Sequence, residues 1–362
     1  MAGNWDSEMG GIHRPKHLGQ SGHPIPAPDD RTNAPTQIKN TTSIRLITAD
    51  VRNHDLRRLG LLFIMSFAMR RIISPFIELI KPRIAVMQLV TVSMGFIVAR
   101  INCPTALRML LPLLIGTFLT ASGSAALNHF LERNIDGKME RTKHRPLPAG
   151  LFQPWVAATI GFSLLAAGIL VLWVWTNSWV TFLSFLTAFL YVIFYTPLKQ
   201  MTWINTYVGA IPGAIPPLAG WGAVTGHLAP GAWELFIILF LWQMPHFFAI
   251  AWMYKADYSS AGFKMLSADD RNGSATYMHM AVNGLLLVLA SLLPAKTAGL
   301  GPIYATSALA LGVWLLVKIR SFKTVRDFKT ARHVMKASVI YLPLLLAAIL
   351  LAVILQHYSA VG

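Results

Sequence analysis

From residue 83 onward the chain alternates between long apolar runs and short polar stretches. About nine runs stand out, at 83–100, 106–128, 153–175, 179–195, 204–223, 233–254, 276–295, 301–318 and 338–356. Each is long enough, and poor enough in charge, to cross the hydrocarbon of a bilayer as a helix. The pattern predicts an all-α, polytopic bundle of about nine transmembrane helices spanning 83–357, around a central cavity open to the cytoplasmic side. Ahead of it, residues 1–55 are rich in Gly, Pro, Asn, Thr and Asp without apolar periodicity, and read as a disordered extension. Residues 56–82 contain an apolar patch too short to span, followed directly by Arg70 and Arg71, and read as an amphipathic segment lying along the interface. Met65 and Met69 are candidate natural starts.

Composition sharpens this picture. With 54% hydrophobic and only 13% charged residues, a soluble enzyme is excluded in favour of a protein whose solvent is lipid. A net charge of +16 would suit a nucleic-acid binder, but the basic residues sit in alternate loops and not along one soluble face. Lys and Arg crowd the regions before the first run and after the second, sixth and eighth. The rule that positive loops stay inside puts the N-terminus and these loops in the cytoplasm, with no nucleic-acid role. The acids Asp6, Glu8, Asp29 and Asp30 argue against an organelle transit peptide, which favours a bacterial inner membrane over a mitochondrial one. The lone Cys103 leaves no internal disulfide and no Cys-based zinc site.

Chemistry concentrates where the second run ends. Asn128, Glu132 and Asp136 recur every four residues, so on a helix their oxygens stack along one face. Such a set suits a hard cation like Mg²⁺, which keeps waters and is shared with substrate phosphates. Arg141 and Arg145 follow with fork-shaped donors that match phosphate oxygens, and Lys199, after the fourth run, supplies a point charge. Topology alone accounts for basic residues here. It does not account for carboxylates, which are costly near hydrocarbon.

Two further stretches belong to the same end of the bundle. Gly209, Pro212, Gly213, Pro216 and Pro217 interrupt the fifth run, as expected for close helix packing or a cavity wall. Trp242-Gln243-Met244-Pro245-His246-Phe247 places two polar side chains inside the sixth run, and Asp257 and Tyr258 follow at a depth similar to Asp136. Asp257 completes a two-sided acidic site if the second and sixth runs are neighbours. A lone buried His is more often a hydrogen-bonded core residue than a ligand, and aromatic residues at these spacings are more often ordinary packing.

Taken together, these motifs resemble the UbiA-type intramembrane prenyltransferases, over about residues 75 to 355. The superfamily signature is carried by Asn128, Glu132, Asp136, Arg141-Thr142 and Arg145-Pro146. The heme-directed branch is suggested by Lys81-Pro-Arg-Ile84, Met139, Tyr195-Thr196, Leu198-Lys199, Thr202, Asn205, Gly213-Ala-Ile-Pro-Pro217, Trp242 to Phe247, and Asp257-Tyr258. Two departures stand out. Glu132 occupies a position where the superfamily usually has Asp, and Ala261 stands four residues after Asp257 where a second Asp is common.

The resemblance implies transfer of a farnesyl group from farnesyl diphosphate to heme b, with Mg²⁺ as cofactor. It implies a metal set of Asn128, Glu132, Asp136 and Asp257, joined in catalysis by Arg141 and Lys199, and substrate contacts from Arg145, Tyr195, Asn205, Gln243, His246 and Tyr258. Implied partners are the lipid bilayer and, downstream, heme A synthase or a heme-copper oxidase assembly system. The competing readings are prenylation of an aromatic quinone precursor such as 4-hydroxybenzoate, which should lack the Trp-Gln-Met-Pro-His-Phe stretch, and a transporter. The transporter reading is disfavoured because the polar residues gather at one face and not at the membrane midplane.

Overall fold

A computed structural model of the protein describes residues 73–100 and 104–361, and all regular structure among them is helical. The expected extension 1–55, and all of the interfacial segment 56–82 before residue 73, lie outside the described residues. A short helix α1 covers 73–80, followed by α2 (Pro82–Arg100), α3 (Leu110–Asp136), α4 (Pro154–Trp175) and α5 (Ser178–Phe189). Next come α6 (Asn205–Ala214), α7 (Pro216–Thr225) and α8 (Pro230–Met253). The short α9 (Lys255–Ser260) and α10 (Leu266–Asp269) connect α8 to α11 (Ser274–Leu292). The chain closes with α12 (Pro294–Thr297), α13 (Gly301–Thr324) and α14 (Phe328–Val361).

Among the described residues, eight helices are long and apolar enough to cross a membrane. The fifth expected run is the exception to the count of nine, because it forms two ten-residue helices, α6 and α7, that meet at Ile215. Pro216 and Pro217 lack the N–H groups that would continue α6, so the ladder stops and restarts there. The half-helix α7 packs on α2 with backbones in direct approach: a Cβ on Gly95 would collide with the Pro217 carbonyl, and one on Gly220 with the Val92 carbonyl.

The helices fall into two packed groups. Helices α6, α8, α11, α13 and α14 bury one apolar cluster around Leu239, Met244, Tyr304, Phe322 and Tyr341. Helices α2, α3, α4, α5 and α7 bury another around Val92, Phe96, Leu113, Leu172 and Leu218. The outward surface is apolar too. On α4, Trp155 at one end and Trp173 and Trp175 at the other are exposed. At 1.5 Å per residue they stand roughly 27–30 Å apart, matching the two aromatic belts of a bilayer.

Between the two groups lies a cavity of about 510 Å³, walled by α2, α3, α5, α6, α7, α8 and α14. The expected charged face of the second run is the last two turns of α3, which continues unbroken past Ser124 and Ala125, where it lines the cavity, to Asp136.

Candidate active site

Asn128, Glu132 and Asp136 are all buried on one face of α3. Each is met by a different cation. Lys81 Nζ donates to Asn128 Oδ1 at 2.9 Å, and Lys199 Nζ to Glu132 Oε1 at 2.7 Å. Arg145 Nη1 reaches both oxygens of Asp136, at 2.8 and 2.7 Å. The cations come from three separate segments: the α1–α2 junction, the turn after α5 and the loop after α3. The constellation therefore forms only when the bundle assembles.

Local geometry explains how each cation arrives. Lys81 sits between two helices at φ 46°, the one non-glycine with positive φ among the described residues, and this turn brings its ammonium onto α3. A left-handed residue with a Cβ costs on the order of 1–2 kcal/mol, which the surroundings must offset. After α5 the chain widens into a π-helical turn, Leu190–Tyr195, that Pro197 closes. Thr196 at its end donates to the Tyr191 carbonyl at 2.9 Å and accepts from Asn128 Nδ2 at 3.2 Å, fixing the Asn128 amide so that its oxygen faces Lys81. Thr142 Oγ1 holds the Asp136 carbonyl at 2.8 Å, which folds the next loop back so that Arg145 returns to α3.

Electrostatics separates the two lysines. Burial, reinforced by nearby Arg145, pushes Lys81 down to about 7. Burial would lower Lys199 as well, but the Glu132 carboxylate outweighs it and holds this ammonium above the usual lysine range.

The other expected residues divide into groups. Arg141 stacks over the rings of Tyr254 and Tyr258, with its Cζ 5.0 and 6.0 Å from their centroids, and its buried Nε has no hydrogen-bond partner among the described residues. Asp257, on α9, is half-buried, and its carboxylate has no ion pair or hydrogen bond among the described residues. Glu132, Asp136 and Asp257 do not converge into one three-acid cluster there, because the first two are each drawn to their own cation. Asn205 acts as a loop staple. Its Nδ2 donates to Thr202 O at 2.6 Å and Lys264 O at 2.8 Å, while its Oδ1 is buried and unpartnered. Lys264 N in turn donates to Lys199 O at 2.8 Å, so the loop between α9 and α10 closes over the turn that carries Lys199.

Tyr195, Gln243 and His246 all line the cavity. Tyr195 also packs under Lys199, whose Nζ lies 4.5 Å from the ring centroid. Gln243 Nε2 satisfies the carbonyls of Ala210 and Leu239 at 3.0 and 3.1 Å, bridging the broken helix to α8. His246 Nδ1 lies 2.9 Å from Ser338 Oγ, and that hydroxyl spends its proton on the Met335 carbonyl at 2.7 Å. With its own proton so placed, Ser338 can accept from the His246 ring, and His246 is held by α14 at the cavity wall.

Sequence reasoning did not assign Lys81, Tyr191, Thr196 or Ser338 to the site. A lysine immediately before Pro82, at the charged end of the first span, was the readable signal for Lys81. Ser338 falls in a weaker stretch of the resemblance, Ala331 through Ser338 to Tyr341-Leu342, but its contact with His246 depends on α14 packing against α8. His129, beside Asn128, is buried with neither ring nitrogen partnered among the described residues.

An all-helical membrane bundle, split in its fifth span, with paired acid and base side chains at one end of an apolar cavity defines an intramembrane prenyltransferase. Residues 88–340 match the UbiA prenyltransferase family, and the chain belongs to it. A UbiA homolog from Archaeoglobus fulgidus, solved bound to DMAPP and Mg²⁺, superposes with a TM-score of 0.59 at 13% identity, covering 77% of this chain and 98% of that one. More specific likeness comes from sequence. A protoheme IX farnesyltransferase of Solibacter usitatus is 42% identical over 284 residues, which is 76% of this chain and 97% of the relative. One from Salinibacter ruber is 41% identical over 277 residues, with the same coverage.

Proposed function

We propose that this protein transfers the farnesyl group of farnesyl diphosphate to a vinyl group of heme b, giving heme O and diphosphate. What supports the reading is one cavity: Lys81 and Arg83 line its charged end, next to the α3 acids, and His246, hydrogen-bonded to Ser338, stands in its α8 wall. The names of the relatives point to the same donor and acceptor.

The donor set fits Mg²⁺: two carboxylates and an amide oxygen on one helix face, with basic residues beside them to share a diphosphate. Asn128, Glu132 and Asp136, with Asp257 on α9, are the residues that would hold it. Bound there with the diphosphate, the metal supplies Lewis-acid stabilisation of leaving-group charge.

This chain's own residues do the rest. Lys81, Lys199, Arg141 and Arg145 hold the diphosphate oxygens as the C1–O bond breaks and the electron pair leaves with the diphosphate. Tyr191 and Tyr195 shield the allylic cation by their π faces, and the apolar walls keep bulk water from it. His246 holds the porphyrin through its iron. The vinyl carbon attacks C1, forming the new C–C bond. Water then adds to the resulting carbocation beside the ring and loses a proton, leaving the hydroxyethylfarnesyl substituent.

The chain acts in a bacterial inner membrane, with its charged end and N-terminus cytoplasmic, and hands its product to heme A synthase or a heme-copper oxidase assembly system. The deciding experiment incubates membranes containing the protein with heme b, farnesyl diphosphate and Mg²⁺, then extracts heme for mass spectrometry. Heme heavier by farnesyl plus water is expected. Unmodified heme beside a prenylated aromatic acid would overturn the acceptor, and neither product would overturn the reaction class.

A further inference from the structure

The cavity has a side opening. Ile84 on α2 and Val339 on α14 both line it, yet they are 53% and 41% exposed, so the wall is incomplete where these helices flank each other. Arg83, which also lines the cavity and is exposed, stands on the α2 side of this mouth. On α14, Arg332 lies seven residues and Lys336 three residues before Val339, so both project along the same side of the helix as that wall residue. Both are exposed.

None of these three side chains makes an ion pair or hydrogen bond among the described residues. Several other cations at this end of the bundle are committed. Lys81, Lys199 and Arg145 meet the α3 ligands, Lys255 donates to the Asp270 carbonyl, and Arg326 donates to the Asn272 carbonyl.

We propose that Arg83, Arg332 and Lys336 form a carboxylate-binding collar at this mouth, whose ligand is the pair of propionate groups of the porphyrin. The assignment rests on the heme reading above and specifies how that acceptor is oriented. Ser338 sets the height of the argument, because its hydroxyl lies 2.9 Å from the His246 ring. Lys336 and Arg332 precede it by two and six residues, roughly 3 and 9 Å along the helix axis. They are also turned about 160° and 120° around the axis from Ser338, toward the side that carries Val339, so their long flexible side chains reach a porphyrin's propionate carboxylates from the mouth and not from beside His246. An Arg fork and a Lys point charge suit two carboxylates at a membrane interface. Vinyl groups stand across the ring from the propionates. Anchoring the propionates at the mouth turns the vinyl edge inward, toward α3 and Tyr195, where the diphosphate cations lie.

Inside-positive topology requires basic residues in this loop, but not on the stripe that continues the cavity wall. Lys318 and Arg320 on α13 provide the control, since no α13 residue lines the cavity.

The test is a Soret titration of purified protein in phosphatidylcholine nanodiscs, without prenyl donor, using heme b and its dimethyl ester. The Arg332→Ala/Lys336→Ala variant should bind the diacid roughly tenfold more weakly, as expected for lost charge-assisted pairs, and bind the ester as the wild type does. Lys318→Ala/Arg320→Ala should bind both porphyrins normally. Equal losses for diacid and ester, or no loss, would overturn the collar. A loss that appears only in discs containing phosphatidylglycerol would assign the collar to lipid phosphate instead. If the wild type bound neither porphyrin, the heme reading itself would fall. If it bound both equally, that reading would stand and the collar would go.

Discussion

Lys199 and Glu132 hold each other in a setting where neither tolerates being alone. Their 2.7 Å contact is nearly closed to solvent, so removing one partner leaves a charge stranded beside hydrocarbon. Lys199→Met should destabilise the protein by about 3 kcal/mol, read as a lower Tm in detergent, and Lys199→Met/Glu132→Gln should recover most of that loss without recovering activity. If the double variant is no more stable than the single one, the pair is not what the lysine stabilises. Arg145 makes a different kind of contact, reaching both oxygens of Asp136. Arg145→Lys keeps the charge but not the fork. It should lower kcat/KM for the prenyl diphosphate about 10- to 100-fold with little change in Tm, measured by steady-state kinetics and thermal unfolding.

Helix pairing sets the site's frame, and the split fifth span is its most constrained element. Gly220→Ala pushes a methyl group into the Val92 carbonyl, backbone against backbone, where neither side can yield. It should cost about 3 kcal/mol or more and sharply reduce accumulation in membranes. Gly150→Ala, in a loop at φ 72° with open space around it, should cost only about 1 kcal/mol by backbone strain. Comparable expression of the two variants would refute the close α2–α7 approach.

At this scale much was legible beforehand, because span length and charge alternation are local properties. The shared buried face of Asn128, Glu132 and Asp136 on α3 could be read from spacing alone. The break in the fifth span was visible as Pro and Gly, but its outcome as two short helices depended on what α2 and α8 offered as packing partners. The pairing of Lys81 with Asn128 was not legible, since it needs both the φ 46° turn and the docking of α2 on α3. Ser338 was hidden for the same reason, its partner lying 92 residues away.

For the molecule as a whole, one cavity must serve both substrates. Ala121 lines its middle, on the same helix as Asn128 but about two turns deeper. Ala121→Trp should fill the space the acceptor needs and abolish transfer, while leaving binding of inorganic pyrophosphate with Mg²⁺ intact by calorimetry. Loss of both together would mean that the two subsites are not separable.

The gap between α2 and α14 also decides what concentration means to this protein. Substrates that arrive through the side of the bundle are sampled from a two-dimensional solution, so their effective concentration is a mole fraction in lipid and not an amount per volume of buffer. Diluting the porphyrin with additional phospholipid, at constant bulk concentration, should slow the reaction in proportion. A rate indifferent to added lipid would mean that the acceptor comes directly from water.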